Sequence, residues 1–128
     1  MPMTPSAPAR HDLAGTLISH AAGLLSSAAA AELITAHRTW LTREDFVTSH
    51  IHAGTRHDGH PYAWTDWQSA VTALDARRLG CTGSEAAILR IAASLGDPAI
   101  PVHLARVLGS LDHHNIQFVT TAITRANG

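Results

Sequence analysis

The side chains best able to do chemistry cluster between His50 and His60. His50-x-His52 is followed by His57-x-x-His60, with Asp58 between and Cys81 further on. Imidazole and thiolate are good zinc ligands, and a loop can carry one histidine pair towards a helix end. The spacing matches no standard zinc pattern. If residues 50–52 are helical, His50 and His52 diverge by about 200° and do not easily share an ion. His50, His52, His57 and His60 are therefore the candidate metal ligands, set against a plainer expectation of exposed loop histidines with His50 at a core edge. Cys81 stands between a helix end and a helix start, where a thiol pKa can fall. With no partner base in view, it is expected as a small buried apolar residue. Asp112-His113-His114-Asn115 could hold an acid–base pair, but at a helix start its histidines are expected to face solvent. The sequence has no G-x-S-x-G, no phosphate-binding glycine loop and no H-E-x-x-H. No catalytic residue and no cofactor is assigned.

Two further segments could bind a partner. Tyr62-Ala-Trp64-Thr-Asp-Trp67 concentrates aromatics after a polar loop. Trp64 could pack inward as the residue before a Thr65 cap, in a hydrophobic staple. Alternatively Tyr62 and Trp64 stand on the surface as anchors for a protein partner or a second copy of the chain. Residues 102–126 can also be read as a helix-turn-helix, with the last helix reading DNA. Its outward arc would present Gln117, Thr120, Thr121, Thr124 and Arg125. Arg125 is the one permanent cation there, too little to neutralise a phosphate backbone well.

The chain as a whole narrows these options. Its 128 residues fit one domain, and its formal charge of -1 argues against a strongly electrostatic nucleic-acid binder. Hydrophobic residues make up 45%, which suits a packed core rather than a disordered chain. One cysteine excludes an internal disulfide. No apolar run reaches the ~18 residues of a membrane span, and no secretory leader is visible, so a cytoplasmic protein is expected. The nine basic residues are all arginine, and the ten histidines could swing the charge to about +9 if all were protonated.

The elements that must position these side chains read as helices. Residues 1–11, with Pro2, Pro5 and Pro8, form an expected flexible tail, and 12–128 the domain. Asp12 is placed to cap a first helix carrying Leu13, Leu17, Ala21, Leu24 and Ala28, interrupted near Ser26 and Ser27. A second carries Leu33, Ile34, His37, Trp40 and Leu41. Thr42 starts a third with Phe46, Val47, His50 and Ile51, ended by Gly54. Residues 53–63 are expected as a polar loop. Thr65 caps a helix with Trp67, Ala70, Val71, Leu74 and Arg78 on one face, stopped by Gly80. Thr82-Gly-Ser-Glu85 fits a capping box opening a helix with Ile88, Ile91, Ala92 and Leu95, closed by Gly96-Asp-Pro98. Pro101 opens a short helix with Leu104, Val107, Leu108 and Leu111. Asp112 caps the last, with Ile116, Val119 and Ile123. The reading is all-α, five to six helices and no strand. The expected core is Leu17, Leu24, Leu33, Trp40, Phe46, Trp67, Val71, Leu74, Ile88, Ile91, Leu95, Leu108, Ile116, Val119 and Ile123.

The order of several short strings is also distinctive: Trp40-Leu41, Asp45-Phe46, Asp66-Trp67, Ala73-Leu74-Asp75, Arg78-Leu79, Cys81, Gly83-Ser84-Glu85, Leu89-Arg90-Ile91-Ala92-Ala93-Ser94-Leu95, Pro101-Val102, Leu111-Asp112 and Asn115. On these residues, roughly 33–128, the chain resembles a family of short actinobacterial proteins with no assigned activity. The resemblance implies an intracellular, stand-alone bacterial domain and carries no functional residue across. The expected function is a non-enzymatic helical interaction or regulatory module. The alternatives are the DNA-binding reading of 102–126 and a metal or enzymatic site at residues 50–60.

Overall fold

The computed structural model describes residues 10–128. Among them are seven α-helices: α1 Arg10–Ala21, α2 Leu25–His37, α3 Glu44–His50, α4 Trp67–Asp75, α5 Gly83–Gly96, α6 Leu104–Ser110 and α7 His113–Asn127. A 3-10 turn, Thr39–Thr42, links α2 to α3, and two antiparallel strands, β1 Ile51–Thr55 and β2 Pro61–Thr65, separate α3 from α4. The fold is thus mostly helical, but it is not all-α, and it has one helix more than expected. Arg10 and His11, assigned to the tail, open α1; residues 1–9 of that tail lie outside the described residues. No described helix is long and apolar enough to cross a membrane.

α2 is the central helix, packed on α5 and α7. Ala28, Ala29, Ala30, Ala31, Leu33 and Ile34 are all buried. A helix apolar on most of its circumference is a core helix, and the alanine run lets neighbouring backbones approach closely. α5 answers it with buried Ala87, Ile88, Leu89, Ile91, Ala92 and Ala93. The α5 start is as expected: Thr82 Oγ1 accepts from Glu85 N at 3.1 Å and Glu85 Oε1 accepts from Thr82 N at 2.8 Å. Asp112 caps α7 by accepting from Asn115 N at 2.7 Å.

Other boundaries are corrected. α1 breaks at 22–24, ahead of Ser26 and Ser27, and Asp12 lies in its first turn. Thr42 does not cap α3; its hydroxyl donates to Thr39 O at 2.8 Å, and α3 starts at Glu44, where Asp45 Oδ1 accepts from Phe46 N. α4 is capped by Asp66, not Thr65, with Asp66 Oδ1 accepting from Ser69 N at 3.1 Å. It ends at Asp75, before Gly80. Arg78 therefore leaves the helix face assigned to it and is exposed. α6 starts after Pro101, at Leu104.

The hairpin replaces both the end of the expected third helix and the loop 53–63. Its turn explains it. Arg56 N donates to His60 O and Gly59 N to Arg56 O, both at 2.9 Å, while Gly59 sits at φ 89°. That is a three-residue hairpin loop closed by a left-handed glycine. Asp58 Oδ1 accepts from His60 N at 3.0 Å and stiffens it. Gly54 ends no helix; it lies inside β1.

The core contains Leu17, Leu33, Trp40, Phe46, Leu74, Ile88, Ile91 and Val119 as expected. Trp67, Val71, Leu95 and Ile116 are half-buried. Leu24, Leu108 and Ile123 are exposed. Leu24 falls in the α1–α2 connection in extended conformation, so it belongs to no helix stripe. On α6, Val107 takes the inward position instead of Leu108. α7 turns Asn115, Val119 and Ala122 inward, which rotates Ile123 to solvent.

Candidate functional site

The hairpin decides which aromatic residues reach solvent. Successive side chains of a strand point to opposite faces. Ile51, Ala63 and Thr65 go inward and are buried. On the other face His52 pairs with Trp64, and Gly54 with Tyr62. The His52 and Trp64 rings stack, with centroids 4.4 Å apart and planes at 24°. Tyr62 lies across β1: a Cβ on Gly54 would stand 2.8 Å from its hydroxyl. The Tyr62 ring also meets His20 of α1 at 6.3 Å. Trp64 is 43% exposed. It forms no staple, because the cap is Asp66 and residue 64 points outward.

A groove of about 320 Å³ runs between β2 and the α1–α2 connection. Leu17, Ala21, Leu24, Ala31, Trp64 and Trp67 supply apolar walls, and Leu24 at its rim is 68% exposed. Trp67 is placed there by Gly96: a Cβ at that α5 position would overlap its indole. The outer hairpin face and this groove form one aromatic–aliphatic surface through Trp64.

The four candidate metal ligands are not brought together. His50 is buried, and its Nδ1 lies 2.8 Å from Ser69 Oγ. Ser69 Oγ donates its proton to Asp66 O at 3.0 Å, so Nδ1 carries the ring proton and donates to the hydroxyl. His52 is on the opposite face, its Nε2 3.7 Å from Asp66 Oδ2. His57 and His60 are exposed in the turn, with His60 Nδ1 3.3 Å from Asp58 Oδ1. Among the described residues no group of three or more His, Cys, Asp or Glu could hold an ion.

His50 still has a measurable property. Burial lowers its pKa, opposed by Asp66 and Asp45 and reinforced by Arg78. His37 is also lowered, first by burial and then by His114, against the pull of Glu85 and Asp112. For such a group the unfolded chain takes up protons first as pH falls through about 6.5. Stability present above that value is therefore lost below it. A melting series should be flat from about pH 8 to 7 and fall towards about pH 5. His50→Asn should flatten the fall. An unchanged slope in that variant and in His37→Gln would remove both histidines as its source.

A polar cleft of about 600 Å³ lies where the end of α2 meets the starts of α5 and α7. His37, Ser84, Glu85, Asp112, His114 and Asn115 line it. The sequence singled out His114 with Asp112 and Asn115; it gave no reason to add His37, which is 77 positions from His114 by the chain numbering. The His37 and His114 rings both stand edge-on to Phe118, at 5.9 and 5.2 Å. Ser84 Oγ accepts from Asn115 Nδ2 at 2.8 Å and from Asp112 N at 3.4 Å. His37 Nδ1 is buried with no partner among the described residues. Among the described residues no histidine is hydrogen-bonded to Ser84, so no assembled nucleophile–base pair is seen among them in the cleft.

On α7, Gln117, Thr120, Thr121 and Thr124 are exposed. Arg125 Nε is paired with Glu32 at 3.0 Å, which ties α7 to α2 and offsets its charge. Thr120 and Thr124 donate to the carbonyls of Ile116 and Thr120, both at 3.0 Å. Cys81 is exposed rather than buried, and partial desolvation with the Glu85 carboxylate raises its thiol pKa against Arg43 and Arg90. It is not an activated thiolate. Comparison with known protein families, with curated proteins and with solved structures finds no match to the chain.

Proposed function

We propose that the chain is a non-enzymatic protein-interaction module and that the hairpin with its neighbouring groove is its docking element. One observation carries this reading: Trp64 stands 43% exposed, stacked on His52, at the junction of an aromatic strand face and an apolar groove. Exposed tryptophan set in a rigid element is the usual chemistry of an interface anchor, because it buries a large area at little entropic cost. The partner is a protein offering apolar side chains to the groove. DNA binding through α7 draws less support, since Arg125 is spent on Glu32 and two of the threonine hydroxyls are spent on backbone carbonyls.

Trp64→Ala is the test. The residue fills no core space, so the melting temperature should stay within a few degrees, while complex formation weakens at least ~10-fold, about 1.4 kcal/mol. The complex is measured with separately purified components: the chain with itself by sedimentation, and with any captured partner after that partner is identified and repurified. Affinities indifferent to Trp64→Ala would remove the hairpin face as the docking element.

A further inference from the structure

The hairpin has an open side. Asp66 N donates to His50 O at 2.8 Å and Arg56 N to His60 O at 2.9 Å, on either side of the ladder. With the register Ile51↔Thr65 to Thr55↔Pro61, the pairs that exchange hydrogen bonds are His52 with Trp64 and Gly54 with Tyr62. The backbone groups of Ile51, Ala53 and Thr55 therefore point away from β2. Ile51 N is taken by Val47 O at the end of α3. The carbonyl of Ile51 and both groups of Ala53 and Thr55 take no hydrogen bond from any other described element. α1 packs along β2, whereas β1 is paired with β2 and lies beside α3, its neighbour in the chain.

We propose that this edge pairs with the same edge of a second copy, giving a four-stranded sheet ordered β2, β1, β1, β2 across a two-fold axis at Ala53. The proposal rests on the hairpin being the interaction element and assigns its β1 edge, a part of the hairpin that does not line the groove, to a second copy of the chain. The edge is complementary to itself. A two-fold rotation sets each Ala53 N–H against the other copy's Ala53 carbonyl, which makes two central main-chain bonds with each donor facing an acceptor. At Ile51 the end of α3 bounds the edge, because Val47 O already holds the Ile51 N–H. β1 carries no Asp, Glu, Lys or Arg to oppose its own image, whereas charged edge residues are the common device that prevents such pairing.

The side chains agree with this register. The residues facing across the axis are the two Ala53 side chains, which are small enough for close approach. On the outer face His52 stands opposite the other copy's Gly54, the position left bare so that Tyr62 can lie across it. The Trp64–His52 stack of one copy thus runs on to the Tyr62 ring of the next. Contact along two five-residue strands buries less than ~1,000 Å², so the dimer is weak, with a Kd on the order of 10–1,000 µM.

Sedimentation velocity of the full chain over that concentration range, with amide NMR shifts followed in parallel, tests the proposal. The expected result is a monomer–dimer equilibrium in which the Ala53 and Thr55 amides move with concentration. Ala53→Pro removes the central donor at an edge position that tolerates proline, and should weaken dimerisation at least 10-fold. Thr55→Lys, at an exposed position, supplies the missing edge charge and should do the same if Ala53→Pro does not fold. Trp64→Ala leaves the edge intact but breaks the outer-face stack, and its ~10-fold weakening of the dimer should be smaller than that of either edge variant. A monomer throughout the range overturns the proposal, as does a dimer indifferent to both edge variants. A dimer sensitive to Trp64→Ala alone overturns the edge pairing while supporting the hairpin face. Amide shifts at β1 caused only by an added extended peptide, with no self-association, overturn it in favour of a foreign strand.

Discussion

Trp40→Ala is expected to be the most damaging single truncation, lowering stability by about 3–5 kcal/mol. The side chain is 0% exposed. Its ring lies 5.2 Å from that of Phe46, and the Arg43 guanidinium covers it at 4.9 Å. Arg43 in turn forks onto Asp45 and donates to Gly80 O, so the indole sits beneath the clasp that holds the α4–α5 connection to α3. Its Nε1 donates to Glu85 O at 3.1 Å, in the first turn of α5. Trp40→Phe separates the two contributions. It keeps most of the packing and loses the donor, and should cost about 1 kcal/mol beyond the smaller ring. Chemical denaturation of the three proteins gives the comparison. A loss below about 1 kcal/mol for Trp40→Ala would mean that the ring does not occupy the core.

The second large effect is on α5. Ile91 is 5% exposed and faces the core with Ile88. Ile91→Ala should cost about 2–5 kcal/mol, the transfer of the lost methyl groups plus the cavity they leave. Thr82→Ala on the same helix should cost about 1 kcal/mol, since it removes one of the two reciprocal cap bonds at the solvent edge. Denaturant midpoints at constant slope give both values. The reverse order would mean either that α5 starts elsewhere or that its buried face is turned away from Ile91.

Helix ends written in short-range chemistry were legible. The Thr82–Glu85 box, the Asp112 cap and the Gly96-Asp-Pro98 stop all depend on residues within a few positions of one another. Periodicity also placed Ile88, Ile91 and Val119 inside correctly. Caps failed where two polar residues competed. Thr65 and Asp66 both qualify, and the pairing of Thr65 with Ile51 across the hairpin leaves the cap to Asp66.

The candidate site was legible as residue types and not as a surface. Tyr62 and Trp64 were marked by composition. What turned Trp64 outward was a strand register involving residues ten or more positions away. The turn carried a signal, Asp58-Gly59 followed by a Tyr-Ala-Trp-Thr string, that would have supported a hairpin. The helical spacing of Phe46, Val47 and His50, running on to Ile51, outweighed it.

Sequence alone therefore determined the predominance of helix, the start and stop of α5, the start of α7 and the buried stripe of α5. Those follow from backbone capping and from 3.6-residue periodicity, which act over one or two turns. Tertiary structure decided that residues 51–55 and 61–65 pair as strands, where the sequence held a signal only at the turn. A five-residue strand gains its hydrogen bonds only from a partner strand, and its face is set by register. It decided that Ala28–Ala31 are buried, because α5 and α7 close on α2 from two sides. It likewise decided that Leu24 is exposed at the groove and that His37 joins His114, since both depend on how helices distant in the chain meet.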